Sequence, residues 1–426
     1  MPGLAARADR PRRVAVSILL GCWLLSSCSA APTTPAPISA PTPGRPAEAQ
    51  RTLDAWSFAV RTHSRTAFEA LVSKRDPQFA PTASRIFDNL TESGLTSLTF
   101  RLRPLQGDLG AARRALLGAD ADVHQVAVRW RVNGDVAPAE HLLWLTFVTD
   151  GSATRIAGTT DGPQEPTAQP IWLLTSLILT RTATTTVLNG SAGSSQRWLA
   201  SGDAAVAALL ARLPGDLRVR WNRRLVIEVP ATRSAFEKVL GVTPGSYRRI
   251  AAVAWPEGPE PASAPVRIVV NPELARSLDE QTMDVLLTHE ATHVATRSAT
   301  SPAPTWLVEG YADYLAYDAH PATAARAEAE LFEDLREHGG PRALPDDSKF
   351  TAAAPDLKRS YAESWLACRY LARRTSPAAL GRFYRAVDAG APLDKALRSE
   401  FGLTERAFTQ DWASDLRTAA QRSSSR

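Results

Sequence analysis

Cysteine is scarce in this sequence. Only Cys22, Cys28 and Cys368 occur among 426 residues, and the first two lie near the N-terminus. This excludes a disulfide-stapled scaffold and the cysteine-rich sites in which structural zinc is usually held. Cys368 falls in an apolar helical run at residues 365–371, so we expect a buried small side chain rather than a nucleophile.

Long hydrophobic runs are also missing. Val14–Leu25 is too short to span a membrane permanently, and it follows a basic stretch, Arg7–Arg13. Residues 1–27 are therefore predicted to be a secretory signal peptide. The stretch ends in Leu25-Ser26-Ser27-Cys28, which resembles the lipobox of bacterial lipoproteins.

That resemblance implies that Cys28 carries lipid and becomes the mature N-terminus. It also implies export and a lipid anchor on the outer face of the bacterial cell membrane, because acyl chains hold a protein at a membrane without a spanning helix. Cleavage of an ordinary signal peptide nearby, for example after Ala30, stays open as an alternative. Residues 28–47 are rich in proline, alanine and threonine, and we predict that they form an extended tether.

The chain has no large net charge of either sign. The formal net charge is +5, and four of the arginines lie before Cys28. No basic stripe with interleaved aromatic residues occurs, so the sequence does not predict a nucleic-acid partner. At roughly 150 residues per domain, the length predicts more than one domain.

Two folded units are predicted after the tether. The first, residues 48–161, begins with a helical pattern and ends with a meander of strands, which resembles the NTF2-like α+β fold. Its strand-like runs are at residues 98–103, 123–132, 141–148 and 154–159. Asp150-Gly151 is a turn signal before the last of them. The second unit, residues 171–426, is rich in strands at its front and reads as helix from Ser277 onwards.

The strongest chemical signal is the H-E-x-x-H motif of His289, Glu290 and His293. On a helix, histidines at i and i+4 share one face, and both imidazoles can reach one zinc ion. The glutamate between them lies beside the ion, where it can take a proton from water. Ser277 with Glu280 predicts a capping box at the start of this helix. A surface helix with two solvated histidines is the alternative.

A catalytic zinc site needs three protein ligands and one open position. Residues 306–314, with the sequence W-L-V-E-G-Y-A-D-Y, supply the candidate third ligand. Pro304 suits the first turn of a helix on which Glu309 and Asp313 lie one turn apart on the same face. Glu309 is the candidate ligand. Asp313 is the candidate carboxylate that accepts the N–H of a ligating histidine.

The two motifs together resemble the gluzincin peptidases, in particular the peptidase MA-like proteins. The resemblance implies an α+β fold with a zincin-like peptidase domain, one zinc ion, and a peptide or protein substrate. It assigns His289, His293 and Glu309 to the metal and Glu290 to the general base. Asp313 matches the outer acid of the E-x-x-x-D element.

Tyr361 lies at the start of a later helical run. MA-like gluzincins often have a tyrosine at a similar place that hydrogen-bonds the oxyanion, and the resemblance implies this role for Tyr361. A core or surface tyrosine is the alternative. The metzincin pattern does not fit, because Thr296 and Ala299 stand where its glycine and third histidine belong. The five other histidines show no ligand spacing, and we interpret them as ordinary.

Zinc-dependent peptide-bond hydrolysis at the cell envelope is therefore the predicted function. The alternative is a catalytically silent surface lipoprotein that binds a ligand or partner through its N-terminal unit. A purely structural zinc is disfavoured, because such sites are usually closed and rich in cysteine. The residues leave the oligomeric state and the cleavage specificity open.

Overall fold

The computed structural model describes residues 45–92, 94–163 and 165–423. The predicted signal peptide, the lipidation site Cys28 and almost all of the tether lie outside these residues. None of the helices in these ranges combines the length and the hydrophobicity of a transmembrane segment.

The first unit contains a four-stranded antiparallel sheet with the strand order β1-β2-β3-β4. Its strands are β1 (Ser97–Gly107), β2 (Asp122–Arg131), β3 (Ala139–Asp150) and β4 (Ala153–Gly158). Its helices are α1 (Arg45–Arg61), α2 (Arg65–Glu69), α3 (Phe79–Glu92) and α4 (Ala111–Leu117). Each of the four predicted runs coincides with one strand. Gly151 makes the predicted turn between β3 and β4 with a φ of 66°, which favours glycine.

Aromatic side chains fill the core between this sheet and its helices. Trp56 of α1 stacks on Phe68, with ring centroids 4.8 Å apart, and packs against Phe100 of β1 at 5.5 Å. Leu53 and Val60 flank Trp56 at helical spacing and are also buried, so one face of α1 covers the sheet.

The second sheet has five strands in the order β5-β6-β7-β9-β8. Its strands are β5 (Ile178–Arg181), β6 (Thr185–Asn189), β7 (Leu225–Val229), β8 (Ala252–Pro256) and β9 (Val266–Val270). The helices that flank or connect these strands are α5 (Ile171–Leu174), α6 (Gln196–Arg212), α7 (Gly215–Arg220), α8 (Arg233–Leu240) and α9 (Pro272–Ala275). Every residue of β6 and β7 is buried, as parallel strands covered on both faces require. β8 is an antiparallel edge strand.

The remainder of the described chain is helical. Its helices are α10 (Glu280–Thr296), α11 (Thr305–Ala319), α12 (Pro321–His338), α13 (Leu357–Arg374), α14 (Pro377–Asp388), α15 (Leu393–Phe401) and α16 (Glu405–Ser423). The predicted α+β class and the predicted helical C-terminal part are therefore confirmed. The NTF2-like identity of the first unit and the boundaries of the two units stay predictions.

Helix α10 begins with a cap that differs from the predicted one. Asp279 is the N-cap, and its carboxylate accepts the Thr282 N–H at 2.7 Å. The predicted capping box of Ser277 and Glu280 is wrong, because the Ser277 hydroxyl donates to the Leu274 carbonyl instead. Pro304 likewise lies just before α11 rather than in its first turn.

Helices α11 and α13 cross closely at Gly310. A Cβ atom at Gly310 would overlap the Ser364 carbonyl oxygen and lie 3.0 Å from the Cys368 sulfur. Cys368 is fully buried at this crossing, which confirms the prediction for it. Glycine at this position therefore sets how closely the two backbones approach, and with it the position of the neighbouring residue Glu309.

We expect Gly310→Ala to lower the free energy of unfolding by about 1–3 kcal/mol, the usual cost of overpacking a tight core. The added methyl group must push α11 away from the Ser364 carbonyl. Urea unfolding of the variant checks this. Gly215→Ala is the matched control, because the nearest atom to a Cβ there is an arginine side-chain nitrogen 3.8 Å away. Equal destabilisation by both changes would contradict the close crossing.

A buried ionic cluster joins the first unit to the second sheet. Arg267 of β9 pairs with Asp135, which follows β2, and with Glu228 of β7, both at 2.7 Å. Its guanidinium also lies 4.0 Å from the centroid of the Trp130 ring. Burial raises the pKa of Glu228 to about 8, and the negative charge of Glu257 adds to the rise. One guanidinium therefore faces an excess of carboxylates.

This excess predicts a pH dependence of stability. The folded state keeps a proton on Glu228 that the unfolded chain releases above its ordinary pKa of 4.5, so stability falls as the pH rises from about 4.5 through about 8. We expect Glu228→Gln, which stays neutral throughout, to flatten the decline by up to about 1.4 kcal/mol per pH unit. Urea unfolding from pH 5 to 9 measures both slopes. Identical slopes would argue against a protonated Glu228.

Candidate metal centre

Helix α10 brings the two histidines of the motif together. His289 and His293 lie on one face of the helix, and their Nε2 atoms are 2.9 Å apart. His289 is fully buried, and 7% of His293 is exposed. A spacing of one helical turn thus makes two imidazole nitrogens converge on one point.

Helix α11 adds a carboxylate to this pair. The Glu309 Oε2 atom lies 3.2 Å from His293 Nε2 and 3.3 Å from His289 Nε2. Together the three atoms form a nearly equilateral triangle, and all three residues are buried. The structure therefore places Glu309 on the side of α11 that faces the histidines.

Each histidine has a polar partner on its other ring nitrogen. Asp313 Oδ1 lies 2.7 Å from His289 Nδ1, and Ser298 Oγ lies 2.9 Å from His293 Nδ1. A carboxylate only accepts hydrogen bonds, so the His289 Nδ1–H donates, and in the neutral ring the Nε2 lone pair points to the triangle. Sequence reasoning missed Ser298. It reaches the ring because Arg297 takes a left-handed φ of 54° at the end of α10.

Charges within the centre are strongly coupled. Burial disfavours a charged imidazolium, yet the Asp313 carboxylate raises the pKa of His289 well above its ordinary value. Burial also disfavours an ionised Glu309, but the charges and hydrogen bonds of His293 and His289 lower its pKa well below the ordinary range. The His289 imidazole therefore holds a second proton readily, and a metal cation must compete with that proton.

Glu290 lies beside the triangle and points to a cleft. Its Oε2 accepts the Ala254 N–H of β8 at 2.7 Å. Its buried Oε1 has no hydrogen-bond partner among the described residues. Burial raises the pKa of Glu290. The edge strand thus fixes one oxygen of this carboxylate and leaves the other available.

The cleft has a volume of about 760 Å³. Glu290, His293 and Glu309 form part of its lining, and Trp255 of β8 forms another part. The centre is therefore open on one side to a space that can hold several residues of a peptide.

Tyr361 lies close to the centre but lines a neighbouring cavity of about 650 Å³, together with Asp313. Its ring centroid is 6.0 Å from that of His289. Its buried hydroxyl has no partner in hydrogen-bonding geometry among the described residues, but the Glu309 carboxylate lies close enough to interact with it. Burial, together with the negative charges of Glu309 and Asp313, raises the pKa of Tyr361 well above the ordinary value. The hydroxyl therefore keeps its proton and can only act as a neutral donor or acceptor.

The three converging atoms fit a zinc ion. Ligand atoms about 2.0–2.1 Å from a tetrahedral zinc are about 3.3 Å apart, close to the observed triangle. Two imidazoles and one carboxylate are also a donor set that catalytic zinc uses, with the fourth position left open. The open cleft beside Glu290 provides room for that position.

No family model matches this sequence, and no curated protein sequence matches it. A mutant of an M1 zinc metallopeptidase from Deinococcus radiodurans is a solved structure with some similarity, at a TM-score of 0.34 and 12% identity. The match covers 76% of this chain and 62% of that protein, so this chain spans less than two thirds of its length. The case for a function therefore rests on the site itself.

The Asp313 contact predicts a measurable effect on metal binding. We expect Asp313→Asn to weaken zinc affinity by about 10- to 100-fold, because the amide no longer holds the His289 ring by a charged hydrogen bond. Competition with a chromophoric chelator measures the affinity. Asp318→Asn, near the exposed end of the same helix, is the control. Unchanged affinity in Asp313→Asn would show that the contact does not support the ring.

Proposed function

We propose that this chain is a zinc-dependent hydrolase of peptide bonds. The observation that carries the proposal is the triangle of His289, His293 and Glu309, with the available Glu290 oxygen beside it. Two helices and an edge strand hold these groups in place, so the arrangement does not depend on one flexible loop. A surface helix with solvated histidines would leave such groups exposed, whereas all four are buried here.

The residues divide the chemistry among them. His289, His293 and Glu309 would hold the ion, and bound there it supplies a Lewis acid that lowers the pKa of water towards neutrality. Glu290 takes the proton from the attacking water and passes it to the leaving amine. Asp313 accepts the His289 N–H and keeps the ring oriented.

Tyr361 is our candidate donor to the oxyanion of the tetrahedral intermediate. Two features support this role: its hydroxyl is buried next to the centre, and apart from the nearby Glu309 carboxylate no described residue competes for it. The role requires the hydroxyl to reach the same side of the centre as Glu290.

A peptide in extended conformation is the substrate that the cleft favours. β8 pairs with β9 on one side only, and its Ala254 N–H is turned to Glu290 rather than to another strand. An extended segment can lie along such an edge and use its backbone hydrogen bonds. This would bring the scissile carbonyl next to the available Glu290 oxygen.

Export and a lipid anchor at Cys28 are part of the proposal and rest on the leader sequence. Mass spectrometry of the protein from membranes tests the anchor, because lipidation adds acyl mass to a peptide that begins at Cys28.

Metal analysis of the purified mature chain, followed by a peptidase assay with and without a chelator, tests the activity. We expect one zinc per chain and cleavage of casein that the chelator stops. A metal-free, inactive protein that binds a partner through its first unit would instead support the silent lipoprotein.

A further inference from the structure

The first unit forms part of the wall of the cleft beside the metal centre. Glu140, His141 and Leu142 of β3 line the same cleft as Glu290 and His293. They do so because β3 extends beyond its pairing with β4, which covers only residues 146–150 of β3. The free edge of β3 therefore faces the second unit at the cleft.

Contacts between β3 and the second unit hold this wall of the cleft in place. The Glu140 N–H donates to the Glu257 carbonyl at 2.9 Å, just after edge strand β8. His141 Nε2 lies 2.9 Å from Glu257 Oε2, and both side chains are almost fully buried. The Arg267 cluster lies in the same junction between the units. The first unit is thus packed firmly against the cleft through buried hydrogen bonds and ion pairs.

The cleft is strongly acidic. Besides Glu290 and Glu309, which belong to the metal centre, it is lined by Glu140, Glu257 and Glu260. Neither lysine nor arginine occurs among the described residues of its lining.

Only part of this negative charge has a partner. Arg129 lies 3.4 Å from Glu140, whose side chain is one third exposed. Glu257 Oε1 is buried without a hydrogen-bond partner among the described residues, and 2% of this residue is exposed. The other oxygen of Glu257 contacts His141, and Arg267 also interacts with this carboxylate. Glu140 and Glu260 are more exposed, so they are the carboxylates that a cationic ligand group can reach.

We propose that the first unit determines specificity, and that Glu140, together with Glu257 and Glu260, selects peptides that carry a cationic side chain next to β3. This inference rests on the proposed peptidase function. Opposite charges across a partly buried cleft steer the substrate and fix its register. The first unit is then a part of the substrate site rather than a spacer between membrane and enzyme.

Cleavage of a peptide library by the zinc-loaded mature chain tests the inference. We expect lysine or arginine to be preferred at one position at least fivefold over glutamine. In the double variant Glu140→Gln/Glu260→Gln, both of whose changes are on partly or fully exposed side chains, we expect that selectivity ratio to fall about fivefold. Glu69→Gln, an exposed position of the first unit away from the cleft, is the matched control.

A binding measurement supplies a readout that does not depend on turnover. In the Glu290→Gln background, an arginine-containing peptide should bind more tightly than its glutamine counterpart, and added salt should reduce the difference. Equal selectivity in the parent and the double variant would overturn the role of the acidic wall, as would cleavage without any basic preference. If the zinc-loaded parent cleaved no library member, the proposed function would fail, and this inference with it.

Discussion

Replacing Glu290 by glutamine is expected to lower kcat/KM for peptide hydrolysis by about 10²- to 10⁴-fold, the usual contribution of a positioned general base. The amide keeps the shape of the side chain, but it cannot take a proton from water. Because Glu290 supplies none of the three converging ligand atoms, the zinc content should stay at that of the parent. Steady-state kinetics and metal analysis of the same preparation measure both quantities.

Glu280→Gln is the matched control for this variant. Glu280 is an exposed residue in the first turn of the same helix α10, ten residues before Glu290. It should keep the rate and the zinc content of the parent. A Glu290→Gln protein that hydrolysed peptides as fast as the parent would exclude Glu290 as the base, even if the zinc were present.

Removal of the Glu309 carboxylate is expected to have the second large effect. Glu309→Ala removes one corner of the triangle and leaves only two imidazoles, so zinc affinity should fall by more than the roughly 10- to 100-fold cost of losing an outer hydrogen-bond partner. Hydrolysis should disappear together with the bound metal. This variant therefore loses both zinc and activity, whereas Glu290→Gln loses only activity. Comparison of the two variants distinguishes a metal ligand from a general base.

Two further measurements make the Glu309→Ala result interpretable. The far-ultraviolet circular dichroism spectrum should match that of the parent, because α11 keeps its packing at Gly310. Asp318→Ala, a change of a half-exposed carboxylate on the same helix, should keep the metal. A Glu309→Ala chain that bound zinc with the affinity of the parent would remove Glu309 from the proposed ligand set.

The local geometry of the centre could be predicted from the sequence because it depends on helical spacing. A separation of four residues determines that His289 and His293 share a face, and the same rule places Asp313 with Glu309. The structure brings all four residues together with Glu290. Such short-range relations need only the right secondary structure, which the apolar pattern of these segments indicates.

Relations that depend on backbone detail or distant contacts could not be predicted. Ser298 reaches His293 only because Arg297 takes a left-handed conformation, which is rare for a residue with a side chain. Asp279 rather than Ser277 caps α10. Serine and aspartate are both good N-cap residues, and the sequence alone does not choose between these two positions. The sequence also gives no sign of the contact between His141 and Glu257, since it joins segments more than a hundred residues apart.

The order of the strands shows the same limit. The individual runs of the first unit were predicted, and neighbours in sequence are neighbours in its sheet. In the second sheet β9 lies between β7 and β8, which requires a crossover that no local pattern specifies. The prediction of an NTF2-like fold also depends on how strands and helices are arranged in space, and the order of strand-like runs in the sequence does not determine that arrangement.

Glu309 and Asp313 lie one turn apart on α11, and they contact His289 at its two different ring nitrogens. The same helix therefore positions one candidate ligand and also the residue that orients a second ligand. A sideways displacement of α11 would change both distances to His289 at once. The geometry of the centre is thus more sensitive to the position of α11 than either contact would be by itself.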